Sequence, residues 1–194
     1  MINMAGGSAS ASINTLRLIK KIDDALLGNR RIEIHLLEVD ELSARFAEKG
    51  LDALQMPGED FEKLDLIFQF HHKSWGDEDA WRDILKDSSE NIILCSSEGG
   101  LFEYGQDEDI QRVLKILADQ PSFSLRFTGS CLLDREKVDP TITAMAETSR
   151  ASLRFLGEDG LENVLKPSAW SIDWISQSSN PVYILFSLRR QSPE

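Results

Sequence analysis

The chain has 194 residues and carries 21 Lys and Arg against 33 Asp and Glu, a formal charge of −12; 41% of it is hydrophobic and 28% charged, the balance of a folded, water-soluble protein. That length fits one domain with a real core, so residues 1–194 are expected to form a single unit. No apolar run approaches the ~20 residues of a membrane span, and an acidic chain without a basic stripe is not expected to bind duplex nucleic acid.

Cys95 and Cys131 lie far apart in strand-like runs, with no second cysteine at metal spacing. A reducing, cytoplasmic setting is therefore expected. Met1 to Ser8 has neither a positive segment nor a long apolar one, so no signal peptide is read there.

In chain order, a very short apolar segment, Ile2 to Met4, precedes the small-residue stretch Gly6 to Ser12. Leu16, Ile19, Ile22 and Leu26 then recur at helical spacing, with Ser12 as an N-cap candidate and Gly28 as a stop. Ile32 to Val39 becomes continuously apolar, as buried parallel strands do. A helix is predicted from about Asp40 to Lys49, ended by Gly50, followed by a short strand from Leu51 to Met56 and a Pro57-Gly58 turn. Leu64 to Phe70 reads as a buried strand, Asp77 to Lys86 as a helix, Asn91 to Cys95 as a strand and Gly99-Gly100 as a loop. Ile110, Val113, Leu114 and Leu117 mark another helix, and Ser122 to Leu132 another strand. Pro140 to Leu165 is predicted helical in two pieces, broken near Gly157 and Gly160. Trp170 to Ser176 and Pro181 to Arg189, separated by Gln177-Ser178-Ser179-Asn180, read as an antiparallel hairpin.

Five or six alternations of strand and helix imply parallel strands joined by right-handed crossovers. The expected architecture is an α/β three-layer sandwich, a mostly parallel Rossmann-like sheet ending in an antiparallel hairpin. Ligands of such sheets settle beyond the carboxyl ends of the strands, where strand order reverses.

Three loops carry the candidate chemistry. Ala5, Gly6, Gly7 and Ser8 allow close backbone approach and lead into a helix N-terminus, although a flexible leader is the alternative. Glu38 ends the second strand, where a carboxylate accepts two hydrogen bonds from a ribose diol; a plain surface acid reads the same way. Glu59 and Asp60, expected after the third strand, suit an adenine amino group, with a solvated acidic turn as the alternative. Together these read as a nucleoside pocket.

The ordered set AGGSAS, LLEVD, MPGEDF, LDLIFQF and the final hairpin resembles the class I S-adenosylmethionine-dependent methyltransferase fold over essentially the whole chain. The resemblance implies S-adenosylmethionine as cofactor and methyl transfer to a small or medium-sized acceptor. The family's first motif is an acidic residue followed by Gly-x-Gly-x-Gly. Here Asn3 takes the acidic place, Ala5 and Ala9 replace two glycines, and Gly7 matches. The missing acid is a usual means of holding the cofactor's methionine ammonium. Family members also carry helical material before the first strand, so a missing N-terminal lid, a lid-supplying partner or a homodimer is expected.

By the same resemblance the segment Phe70 to Trp75, after the expected fourth strand, faces the transferred methyl group, and His71 or His72 is the expected base. A loop His pair without a role is the alternative. Adjacent strand residues point to opposite sides and no third ligand is in register, so no metal is expected. Trp75, Phe102 and Tyr104 are the expected acceptor-pocket residues, although Phe102 and Tyr104 also suit a core. A non-catalytic interaction or assembly module of the same fold is the alternative function. A nicotinamide or flavin nucleotide domain is disfavoured by the terminal hairpin. Neither a G-x-S-x-G elbow, a P-loop nor a C-x-x-C pair is present.

Overall fold

Residues 1–86, 91–120, 124–148, 152–177 and 182–191 are described by the computed structural model of the chain. The elements are β1 (Ile2–Met4), α1 (Ser10–Asp23), β2 (Arg31–Glu38), α2 (Glu41–Leu54), β3 (Asp65–His72), α3 (Glu78–Leu85), β4 (Ile92–Ser97), α4 (Leu101–Tyr104), α5 (Asp107–Ala118), β5 (Ser124–Leu132), α6 (Pro140–Thr148), α7 (Gly157–Leu165), β6 (Trp170–Gln177) and β7 (Tyr183–Arg190). Ser122, the hairpin turn 178–180 and Pro181 lie outside the described residues.

The seven strands form one sheet in the order β3-β2-β1-β4-β5-β7-β6. Every neighbouring pair from β3 to β5 is parallel, and β7 runs antiparallel to both β5 and β6. Strand order reverses between β1 and β4, which places the ligand-binding crevice of such a sheet at their carboxyl ends.

Both faces of the sheet are covered, and β2 passes from the alternating segment Arg31 to His35 into the adjacent buried pair Leu36 and Leu37. Ile32, Ile34 and Leu36 pack with Leu16 of α1 and Ala44, Ala47 and Leu51 of α2. Leu37 points the other way and joins Ile2, Met4, Trp81 and the α5 residues Ile110, Val113 and Leu114. Aromatic rings fill the hairpin side: Phe102 lies edge-to-face against Phe127 and Phe186, and Phe127 against Trp170. The Trp170 indole donates to the Leu114 carbonyl (2.8 Å), tying β6 to α5. Among the described residues no helix is long and apolar enough to cross a membrane.

One predicted boundary fails, and it moves everything after it. Asp40 caps α2 by accepting from Leu42 and Ser43, but the helix does not stop at Gly50. A mid-helix glycine costs about 1 kcal/mol relative to alanine, whereas burying a leucine side chain gains roughly 1.5–3 kcal/mol. Leu51 continues the Ala44-Ala47 stripe and is fully buried, so burial carries the helix through Gly50 to Leu54. The expected strand from Leu51 to Met56 is therefore the last turn of α2 with the bend after it. LDLIFQF becomes the third strand and pairs with β2 at the sheet edge, from Arg31↔Asp65 to Glu38↔His72. Further on, Leu101–Tyr104 forms a short helix inside the expected loop, and Gly157 starts α7 with Gly160 inside it.

Phe186→Ala would remove a side chain buried beside Phe102 and facing Gly129. A loss of about 3–5 kcal/mol of unfolding free energy is expected, with the slope against urea unchanged, as read by chemical denaturation.

Candidate functional site

The crevice is built from the first loop outward. The Ala5 N–H donates to the Leu37 carbonyl (2.8 Å), which carries the chain off β1 alongside the end of β2. Ala5 and Ala9 then adopt positive φ (47° and 54°), a conformation that glycine adopts without strain. Gly6 packs so closely that a Cβ there would lie 2.9 Å from the Asn3 Cβ. Beyond it, the Gly7 N–H donates to Glu38 Oε2 (3.1 Å). The small-residue loop and the acid ending β2 thus meet directly.

Glu38 Oε1 is already engaged, accepting from the Val39 and Asp40 N–H groups (2.8 and 3.1 Å). Oε2 accepts from Gly7 and retains a lone pair for a further donor. The 14-residue α1 starts at this same point with no side-chain cap and no acid in its first turn, leaving N–H groups for a polar or anionic ligand atom. Ser8 and Ser10 share a hydroxyl hydrogen bond at that turn (2.7 Å).

Asn3, at the position where the resemblance expects an acid, is bonded at both ends of its carboxamide. Its amide donates to Ser96 Oγ of β4, and its carbonyl accepts from Ser12 Oγ of α1. The loop after β4 closes in from the other side. A Cβ on Gly100 would lie 2.6 Å from the Ala5 Cβ and 3.1 Å from the Met4 carbonyl, so only glycine permits this contact. Ser97 Oγ accepts from Leu101 N–H (3.0 Å), and Ser130 Oγ from Gly99 N–H (3.1 Å), which fixes the bend.

Other expected site residues sit elsewhere. Glu59 and Asp60 lie between α2 and β3 and enter the strand at its amino end, whereas Glu38 and His72 are partners at the carboxyl end. Asp60 pairs with Arg17 (2.8 Å). They are not part of the Glu38 cluster, because the extension of α2 removed the strand they were expected to follow. For the same reason His71 and His72 close the edge strand β3, about 10 Å from β1 at two strand spacings, rather than the strand beside it. His71 Nε2 contacts His35 Nδ1 (3.1 Å), and His72 contacts Glu41 (3.1 Å) and the Val39 carbonyl (3.0 Å). The segment that faces β1 across the crevice is 96–104 instead.

Phe102 is fully buried among Phe127 and Phe186, a core side chain rather than a pocket wall. Trp75 is half-buried against the same core, and its carbonyl accepts from the Trp81 indole (2.7 Å). Tyr104 is partly exposed on α4. A cavity of about 630 Å³ lies at the opposite end of the sheet, lined by Met1, Leu27, Arg31, Ile84 and Ile92, away from the Gly7-Glu38 contact.

Sequence reasoning passed over Glu103. It is 4% exposed, its Oε1 has no hydrogen-bond partner among the described residues, and burial pushes its carboxyl up to about 7. The only sequence signal was one acid inside the apolar tetrapeptide Leu101-Phe102-Glu103-Tyr104. His35 shows the opposite effect, since burial, then the neighbouring Met1 ammonium and His71, push it down to about 4. Its 3.4 Å contact with Glu33 is therefore that of a neutral imidazole at pH 7.

No family model matches the chain, and no curated relative does either. Solved structures do. The chain is similar to LepI in complex with SAM (13% identity, TM-score 0.62, 98% of this chain and 42% of that one). It is also similar to N,N-8-amino-8-demethyl-D-riboflavin dimethyltransferase (RosA) from Streptomyces davawensis (11%, 0.61, 98% and 49%). A third is magnesium protoporphyrin IX methyltransferase (ChlM) from Synechocystis PCC 6803 with bound SAH (10%, 0.56, 98% and 73%). The chain spans about two fifths of the length of LepI. The fold is that of the class I S-adenosylmethionine-dependent methyltransferases, with the mixed sheet and the β5-β7-β6 antiparallel end.

The two displaced titrations give opposite pH signatures. Folded His35 titrates near 4 and an unfolded histidine near 6.5. The unfolded chain binds more protons in that window, so this residue's contribution is lost as pH falls from about 6.5 to 4. Folded Glu103 titrates near 7 and an ordinary glutamate near 4.5, so its stabilising protonation is lost as pH rises between those values. Glu103→Gln should therefore gain stability over the native chain between pH 5 and pH 8, on the order of 2–3 kcal/mol by urea denaturation. His35→Gln should flatten the acid limb.

Proposed function

We propose that this chain binds S-adenosylmethionine at the carboxyl ends of β1 and β2 and serves as the cofactor-binding body of a methyltransferase for a small or medium-sized acceptor. The observation that carries the reading is the Gly7 to Glu38 hydrogen bond, which puts a close-approach loop, an uncapped helix N-terminus and a ribose-seeking carboxylate at one point. Support comes from the fold and from neighbours whose structures hold SAM or SAH. The acceptor class follows from the acidic chain and from neighbours such as OxaC, solved with sinefungin and meleagrin.

In this reading Glu38 Oε2 accepts from a ribose hydroxyl, Ala5 to Ser8 lie along the adenosyl unit, and the first turn of α1 receives the carboxylate of the amino-acid tail. When bound, the cofactor supplies a methyl carbon on a sulfonium leaving group. The protein's task is to position an acceptor in line with it. The segment 96–104 borders that side of the crevice. A partner chain or second copy covers the acceptor, in keeping with Val39, Leu42 and Phe46, which stay exposed beside Glu38 and along α2. A single domain and a cytoplasmic setting are part of the same proposal.

A second reading, a non-catalytic assembly module of this fold, has its own observation: Glu38, Asn3 and the Gly100-Ala5 contact are already satisfied within the protein. Calorimetric titration with S-adenosylhomocysteine separates the two. Binding that weakens at least tenfold in Glu38→Ala, about 1.4 kcal/mol or more, is expected. Absence of heat at millimolar ligand would leave the assembly module.

A further inference from the structure

We propose that Glu103 is the counter-ion for the α-ammonium of the bound cofactor, replacing the carboxylate that Asn3 does not provide. The inference rests on the cofactor reading above and adds a ligand contact that the first motif does not contain.

The cofactor's amino-acid tail carries a cation into the crevice between β1 and β4, and a desolvated cation needs an anion or several oriented acceptors. Asn3 is neutral, and both ends of its carboxamide are bonded to Ser96 and Ser12. Glu38 is filled on one oxygen and sits on the β2 side. Glu98 is exposed.

Glu103 is placed differently. Its Oε1 and Oε2 lie 3.6 and 3.8 Å from the point where a Cβ of Gly99 would stand, so the carboxylate folds back over the end of β4. The next residue, Gly100, is the one that touches Ala5 and the Met4 carbonyl. A single two-glycine bend thus separates a buried carboxylate, whose Oε1 has no partner among the described residues, from the loop assigned to the cofactor. A buried carboxylate without a partner is destabilising, and a ligand ammonium would remove that penalty at the moment of binding.

Among the described residues, the groups facing Glu103 offer no competing cation. Cys131 of β5, Asp134 just after it and Tyr183 of β7 are acids, and Tyr104 is its neighbour on α4. Arg154 gives its backbone N–H to the Glu103 carbonyl (2.9 Å) and its guanidinium to the Gly105 carbonyl and Asp107.

Titration calorimetry with two probes tests this on the full chain: S-adenosylhomocysteine, which carries the ammonium, and 5′-methylthioadenosine, which lacks the amino-acid tail. At pH 8, Glu103→Gln should weaken S-adenosylhomocysteine at least tenfold, leave 5′-methylthioadenosine unchanged, and contrast with Glu162→Gln at an exposed position of α7, which changes neither. In the native chain, the preference for S-adenosylhomocysteine should grow by up to about tenfold from pH 6 to pH 8, as a carboxyl near 7 ionises. That second measurement stands even if the variant fails to fold. Equal S-adenosylhomocysteine affinity in native and Glu103→Gln protein, equal weakening of both probes, or a flat pH preference overturns the proposal. If 5′-methylthioadenosine binds and responds to Glu38→Ala in those cases, the nucleoside site itself survives. Failure of both probes to bind the native chain ends both readings.

Discussion

Everything at the carboxyl end of this sheet depends on a central strand of only three residues. β1 pairs with β2 over Ile2, Asn3 and Met4 and with β4 over Ile2 and Asn3, so few ladder hydrogen bonds hold the middle of the sheet together. Side chains supply the rest. Asn3 links β4 to α1 through Ser96 and Ser12, and Glu38 links the β1–α1 loop to the start of α2 through three backbone N–H groups. Each such bond contributes about 1 kcal/mol net, yet leaving one buried partner unsatisfied costs about 1–3 kcal/mol. The polar residues near β1 are therefore structural before they are functional.

That double duty shapes what the crevice can do. In the proposed function, a carboxylate already oriented by backbone donors needs no rearrangement to meet a ribose hydroxyl, and the uncapped α1 terminus is similarly prearranged. An amide in place of an acid at Asn3 keeps β1 stitched to its neighbours without a buried charge, but it surrenders electrostatic attraction for a cationic ligand. Glu103, one bend away, is a buried carboxyl whose Oε1 has no hydrogen-bond partner among the described residues. Its raised titration and the lowered one of His35 share their largest cause, removal from water, acting on groups of opposite charge type.

The covered faces of the sheet also set its boundaries. Trp81, Trp170, Phe127 and Phe186 join one core, and Leu16, Ala44, Ala47 and Leu51 join the other. Exposed apolar side chains remain on α1 (Leu18, Ile22), on α2 (Leu42, Phe46) and on the hairpin strands (Trp174, Tyr183, Leu185).

Local chemistry was legible in the amino-acid order. Continuous apolar runs announced β2, β3 and β4, Asp40 and Asp77 marked their helices, and the Trp170 and Tyr183 segments formed the terminal hairpin. Gly7 and Glu38 meet because a βαβ unit of fixed handedness brings the end of one strand beside the end of the next. Only the folded arrangement decided the fate of Gly50, where the buried face of Leu51 outweighed a local helix breaker. That single outcome put Glu59 and Asp60 at the amino end of β3, and His71 and His72 at the carboxyl end of the edge strand, beside Glu38 rather than beside β1. Burial of Glu103 was likewise invisible in sequence, since desolvation depends on what the ends of β4, β5 and β7 pack around a side chain, and no local pattern encodes that.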